Sequence, residues 1–205
     1  MRYFLLFISV IAITNCRAQN GSLLKLQNYF DEELKPWTAT FNRFSLGDFK
    51  TQDTLPFDNN YRQDLNNYKQ FLSIYKPIIT FSSDGTAFVD IYSYQLNLEK
   101  KDTYYQANPD IDQAIILYNS KNSYWNRIYF GTSSMWIDEV IWISESRFIL
   151  VGIYKPTDNK RLPFILLGDV NKQTLIRYID ASKNSFQTGK VYMSPKLGKI
   201  KIKGL

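Results

Sequence analysis

Histidine is absent from all 205 residues, and that absence excludes more chemistry than any other feature of the composition. Without imidazole there is no Ser-His-Asp or Cys-His nucleophile system, and no His-ligated zinc, copper or haem. Cysteine is nearly absent as well. Cys16 is the only one, so the chain forms no internal disulfide, which a domain of this size tolerates better than a small secreted scaffold does. Dense basic runs are missing too. The formal charge of +6 is dispersed over 25 basic and 19 acidic side chains, and nucleic acid, which draws on concentrated phosphate-neutralising charge, is not an expected partner. What survives for chemistry is carboxylate pairs, Tyr or Lys bases, Ser-Lys dyads and oxygen-ligated calcium or magnesium. No cofactor and no metal is expected.

Long apolar runs are confined to one place. Arg2 precedes the run 3–13, interrupted only by Ser9, and Thr14, Asn15, Cys16, Arg17 and Ala18 follow. The run is about eleven residues, within the range of a secretory signal and short of the roughly 20 needed to span a bilayer as a helix. Residues 1–18 therefore read as an export signal ahead of a single β-rich domain, 19–205. Ile13-Thr14-Asn15-Cys16 resembles the lipobox of bacterial lipoproteins, whose cysteine is acylated, although Asn15 departs from the small residue usual there. Cys16-Arg17-Ala18 offers a rival cleavage, releasing a soluble chain at Gln19. The two outcomes give an outer-membrane lipoprotein held by lipid at Cys16, or a periplasmic protein; both are exported to the cell envelope.

Beyond the signal the hydrophobic period changes once. Leu23, Leu26, Phe30 and Leu34 recur at helical spacing, predicting a helix over 23–35 that Pro36 stops, and 37–57 reads as irregular. Tyr61, Leu65, Tyr68, Phe71, Leu72 and Tyr75 form one stripe, predicting a helix over 59–76 with Asp58 as N-cap and these side chains packed on a sheet. From Pro77 onward the pattern is that of strands. The segments 78–82, 86–94, 113–119, 124–130, 136–143, 147–154, 164–169 and 174–179 are short, rich in β-branched and aromatic residues, and separated by turn residues such as Ser83-Asp84-Gly85 and Asn171-Lys172. Short turns favour antiparallel neighbours.

The meander repeats itself. Ser83-Asp84 followed by Phe88-Val89-Asp90-Ile91 resembles Ser144-Glu145 followed by Phe148-Ile149-Leu150-Val151, and 115–129 aligns without a gap on 165–179, placing Arg127 on Arg177. The first copy carries an excursion, 96–109, between its middle strands. Each unit has four strands and is similar to a β-propeller blade, though two blades cannot close a ring that needs at least four. The expected fold is mainly β, an antiparallel meander of two blade-like four-stranded units with a packed N-terminal helix.

The run Lys76-Pro77-Ile78-Ile79-Thr80-Phe81-Ser82-Ser83-Asp84-Gly85, with Asp90-Ile91-Tyr92-Ser93-Tyr94, resembles uncharacterised exported β-rich envelope proteins of Gram-negative bacteria. The resemblance implies an envelope location and a β-rich fold, and brings no catalytic assignment.

Candidate binding residues come from the loops and from one oddity of the repeat. Asp90 stands where the second unit has Leu150, between Phe88 and Tyr92, and is either a functional acid or a partner for nearby backbone. Asp138 and Glu139 are adjacent on a predicted strand and should face opposite sides, which prevents them from acting as a pair. Asp110 and Asp112 lack the further ligands of a calcium loop and read as a turn after Pro109. Four Trp, 15 Tyr and 14 Phe exceed ordinary usage, and Trp125, Trp136 and Trp142 invite a carbohydrate reading. Tyr104, Tyr105 and Trp125 are the aromatic candidates expected on loops. Lys199-Ile200-Lys201-Ile202-Lys203 alternates as a charged edge strand would. The expected function is a non-catalytic binding or structural module of the envelope with a protein or glycan partner; the alternative is a small glycan-directed hydrolase using carboxylates such as Asp90.

Overall fold

The computed structural model describes residues 23–64, 67–120, 124–156 and 160–205. Residues 1–18, with Cys16, lie outside the described residues, as does Leu65. Among the described residues no helix is long and apolar enough to cross a membrane.

The chain is mainly β. Among the described residues the short helices α1 (Gln27–Asp31) and α2 (Lys35–Thr38) precede β1 (Phe49–Pro56) and β2 (Asp58–Asp64). Helix α3 (Tyr68–Tyr75), β3 (Thr80–Phe81), β4 (Ala87–Asp90) and α4 (Ser93–Leu96) follow. The excursion holds β5 (Glu99–Lys100) and β6 (Tyr105–Gln106). The rest is β7 (Gln113–Asn119), β8 (Tyr124–Gly131), β9 (Met135–Trp142), β10 (Arg147–Tyr154), β11 (Leu162–Asp169), β12 (Thr174–Asp180) and β13 (Ile202–Lys203). All eight strands of the expected meander are present. They divide four and four between two five-stranded antiparallel sheets, β2-β8-β7-β4-β3 and β1-β12-β11-β10-β9, beside a small sheet β13-β6-β5 in which β13 and β6 are parallel.

The two large sheets are the two copies of the repeat. In the first sheet Ile116 pairs with Arg127 and Leu117 with Asn126; in the second Leu166 pairs with Arg177 and Leu167 with Ile176. Each four-stranded unit then gains a fifth strand from upstream, and each added strand sets an aspartate opposite the arginine. Asp58 lies across from Arg127 and Asp53 across from Arg177, and both pairs are salt-bridged. The predicted helix over 59–76 is thus corrected in its first half, where the backbone is strand β2. A sequence reading Asp-Asn-Asn-Tyr-Arg-Gln-Asp has no apolar alternation, and its strand state comes from the open edge of β8. Likewise β1 occupies part of the stretch expected to be irregular. Pro36 does not end a 23–35 helix but sits in the first turn of α2, where its missing N–H costs nothing. The C-terminal alternation yields only the two residues of β13, because Leu197–Lys199 is a 3-10 turn.

Alternation along the strands assigns the faces. On the second sheet Phe148, Leu150, Phe164, Leu166 and Leu175 join Val89, Ile115, Leu117 and Ile128 of the first sheet in one buried cluster. The opposite face, with Ile149, Val151, Ile165, Leu167 and Tyr178, is covered by Leu23, Phe30, Leu34 and Trp37 of the N-terminal helical segment. Gln113 ties the sheets together. Its Nε2 donates to the Ile91 and Ile137 carbonyls (3.0 Å each) and its Oε1 accepts from Ile137 N (2.8 Å).

One register slip matters for the acidic residues. Between Val151 and Gly152, β10 passes from Glu139 to Ile137 and leaves Asp138 as a bulge, so strict alternation does not govern Asp138 and Glu139. Asp138 accepts a hydrogen bond from Trp37 Nε1 (2.9 Å), whereas Glu139 accepts from Tyr192, Ser194 and Lys196. The two carboxylates serve different partners but feel each other's charge, which contributes to holding the Asp138 carboxyl well above its usual range.

Candidate functional site

Helix α3 lies on the outer face of the first sheet and covers only part of it. Phe88, Tyr118 and Trp125 are cross-strand neighbours there, and α3 lays Tyr68 on Tyr118 (5.0 Å between ring centroids) and Phe71 on Phe88 (5.7 Å) and edge-on to Trp125 (4.8 Å). The helix is anchored at its end by Tyr75. The Tyr75 hydroxyl accepts from Leu98 N (2.7 Å), and burial pushes its pKa up to about 12.

The neighbouring row, Asp90, Ile116 and Arg127, is left open. It lines a cleft of about 240 Å³ with Phe71, Ser93, Tyr94, Ala114 and Trp125. The lining is mostly apolar, and its polar groups flank Ile116, with Asp90 and Ser93 on the β4 side and Arg127 on the β8 side. Arg127 Nη2 reaches Asp58 Oδ2 at 2.7 Å, and its guanidinium stacks 5.1 Å over the Phe130 ring. Tyr94 meets Phe130 edge-on at 5.9 Å, and both rings are exposed.

Asp90 is fully buried, and its carboxylate is committed. Oδ1 accepts from Tyr92 N (2.9 Å) and Ser93 N (3.0 Å), while Oδ2 accepts from the Ser93 hydroxyl. Desolvation raises the pKa of the carboxyl, and these hydrogen bonds oppose the rise. The geometry is that of an aspartate turning the chain from β4 into α4.

The sequence candidates thus divide. Asp90 and Trp125 meet in one cleft. Tyr104 and Tyr105 lie elsewhere, half-buried in the small sheet, with the Lys203 ammonium 4.1 Å from the Tyr104 ring and β6 paired to β13. Arg127, Ile116, Ala114, Tyr94 and Phe71 were not among the binding candidates, although the repeat marked Arg127 and the helical stripe marked Phe71. The signal that finds them is the repeat, because the cleft row Asp90, Ile116 and Arg127 maps onto Leu150, Leu166 and Arg177, where both leucines are wholly buried between the sheets.

Asp110, read as a turn residue, accepts at Oδ1 from Ile111 N (2.6 Å) and Asp112 N (3.3 Å). Among the described residues no group of three or more acidic or sulfur side chains is placed to hold a metal ion. No family model matches this chain, and neither the curated proteins nor the solved structures include a match to it.

Proposed function

We propose that the protein is a non-catalytic binding module of the bacterial cell envelope, and that it captures an apolar group of an envelope protein in the cleft beside α3. The observation that carries this reading is the half-covered sheet face. Positions that stack against another sheet in the second unit here line a hollow formed by Trp125, Ile116, Ala114 and Phe71. A concave, mostly apolar hollow with a few polar groups is the usual form of a binding site.

The alternative, a glycan hydrolase, requires two carboxylates flanking the scissile bond. Among the described residues the cleft lining holds one, Asp90, and its oxygens are taken by Tyr92 and Ser93. That arrangement favours binding over turnover.

The test is photo-crosslinking from benzoylphenylalanine at position 94 in cells of the native host. A discrete adduct that disappears in Ala114→Leu, which fills the cleft, and in Trp125→Ala supports the reading. The same adduct in both variants, or an equal adduct from exposed position 24, overturns it. Loss of a glycan-hydrolysing activity in a folded Asp90→Asn variant would establish the hydrolase. The envelope location rests on residues 1–18, and intact mass of the native protein decides it: acylated Cys16 or an unmodified Gln19 at the N-terminus fits export, whereas a chain retaining Met1 contradicts it.

A further inference from the structure

Trp136 packs in neither hydrophobic cluster, whereas Trp37 belongs to the N-terminal cluster and Trp125 and Trp142 pack against the one between the sheets. Its half-buried side chain lines a second cleft, of about 440 Å³, at the β9 edge of the second sheet. Asp138, Ile153, Lys155, Arg161 and Tyr192 share that lining. This hollow is separate from the one beside α3, and the inference drawn from it does not rest on the function proposed above.

The polar groups of the cleft are held in place. Arg161 Nη1 donates to Gln187 Oε1 (3.2 Å), and the Arg161 carbonyl accepts from Gln187 N (2.9 Å). Lys155 N donates to the Ser134 carbonyl (2.8 Å), fixing its strand end to the facing hairpin. Asp138 Oδ2 is tied to Trp37, and no hydrogen bond is formed by its Oδ1 among the described residues.

The lining sets Lys155 and Arg161 against Asp110 and Asp138; the Arg161 charge acts on Asp138, whose carboxyl, raised to about 7 by burial, carries only part of its charge at neutral pH. Neither Lys155 nor Arg161 makes an ion pair among the described residues. Asp110, at the mouth, turns an oxygen back onto its own loop. Two cations without an ion pair among the described residues, in a lining that also holds the half-buried Trp136, match a ligand that is flat and apolar on one side and anionic at its edge. A guanidinium with open N–H groups suits a carboxylate, an indole suits the C–H face of a sugar ring, and a carboxylate oxygen suits a hydroxyl.

We propose that this cleft binds an acidic saccharide, with a pyranose face on Trp136, the sugar carboxylate on Arg161 and Lys155, and a ring hydroxyl donated to Asp138 Oδ1. The exposed Ile111 and Val191 at the rim supply further apolar contact for neighbouring sugar units.

Calorimetric titration of the full chain with a glucuronate trisaccharide, and with its methyl ester, tests this. The ester keeps the rings and removes the charge. Saturable binding of the acid is expected, weakened roughly tenfold or more in the ester, in Arg161→Gln and in Trp136→Ala, since a lost charge-assisted hydrogen bond costs about 1.5–3 kcal/mol. Trp125→Ala, in the other cleft, should bind the acid as the parent does. Trp136 lies outside the two clusters, whereas Arg161→Gln also removes the Gln187 hydrogen bond and a charge that acts on Asp138, so melting curves are part of the readout and affinities are compared only where each variant is folded at the titration temperature. Equal affinity for acid and ester, binding unchanged in Arg161→Gln or Trp136→Ala, loss in Trp125→Ala, or no saturable binding at about 10 mM acid would each overturn the proposal.

Discussion

Replacing Asp138 by Asn should stabilise the folded protein, and the gain should grow with pH. Burial is the main reason that the Asp138 carboxyl is raised from 3.8 to about 7; the Trp37 hydrogen bond and the Arg161 charge oppose it, and the Glu139 charge adds to it. Between those two pH values the folded chain holds a proton that the unfolded chain has released. Folded stability from this position is therefore greatest below about pH 4 and declines as the pH rises through about 7. At about 1.4 kcal/mol per pH unit, the decline amounts to roughly 4 kcal/mol, an upper bound because water in the adjoining cleft can solvate Oδ1. Asn has nearly the same shape, can accept the Trp37 Nε1 bond through its amide oxygen, and does not ionise. Urea denaturation of both proteins at about pH 4.5, 6, 7 and 8 gives the comparison, with equal m-values confirming that the same surface unfolds. The difference should be small at the lowest pH and reach its plateau near pH 8. A difference independent of pH, or an Asn variant less stable at pH 8, would refute the account of a desolvated carboxylate.

Three further outcomes are expected. A Cβ at Gly152 would meet the Trp136 carbonyl at 2.0 Å and the Phe164 ring at 2.9 Å, so Gly152→Ala should cost about 2 kcal/mol or more in denaturation midpoint measurements. Lys196→Met leaves the buried Glu139 carboxylate without its cation and should destabilise by roughly 3 kcal/mol at neutral pH, read by thermal unfolding. Asp53→Ala and Asp58→Ala remove partly exposed partners of Arg177 and Arg127 in different sheets; each should cost about 1 kcal/mol, and the double variant should show near-additive loss in urea.

The meander was legible because its strands carry their own signal. Leu162–Asp169 is buried along nearly its whole length and Arg147–Tyr154 through its middle, and such runs read as strands without knowledge of their neighbours. The arginine of each final strand was legible for the same reason, through a fixed offset between two similar segments. Strand β2 was not, because nothing in Asp58–Asp64 is intrinsically strand-like; the edge of β8 decides its state, and that edge is distant in sequence. The coincidence of Tyr61 and Leu65 with the true helical stripe of α3 then extended the helix backward. Asp90 stood out as an acid in an apolar place, but its role depends on the Tyr92 and Ser93 amides, which only the turn geometry supplies. Asp138 and Glu139 serve different partners, but the bulge at Asp138 was not legible, because a period-two rule does not register an inserted residue.

Strands β1 and β2 are joined by one residue, Phe57, which is buried and donates its N–H to the Gln173 carbonyl at 2.8 Å. A single ribbon therefore completes both sheets, and it must wait for partners far downstream, since the Asp53–Arg177 pair spans 124 residues. The tight hairpins of the meander close loops of a few residues and can form early, whereas β2 docks only after β8 and β1 only after β12 exists; long-range closure of this kind slows folding. During synthesis the ribbon is, among the described residues, the first strand material made, and its β1 half waits for the last strand of the large sheets. Until then β8 and β12 present open edges, and a holding factor that shields them would have its greatest effect in that interval.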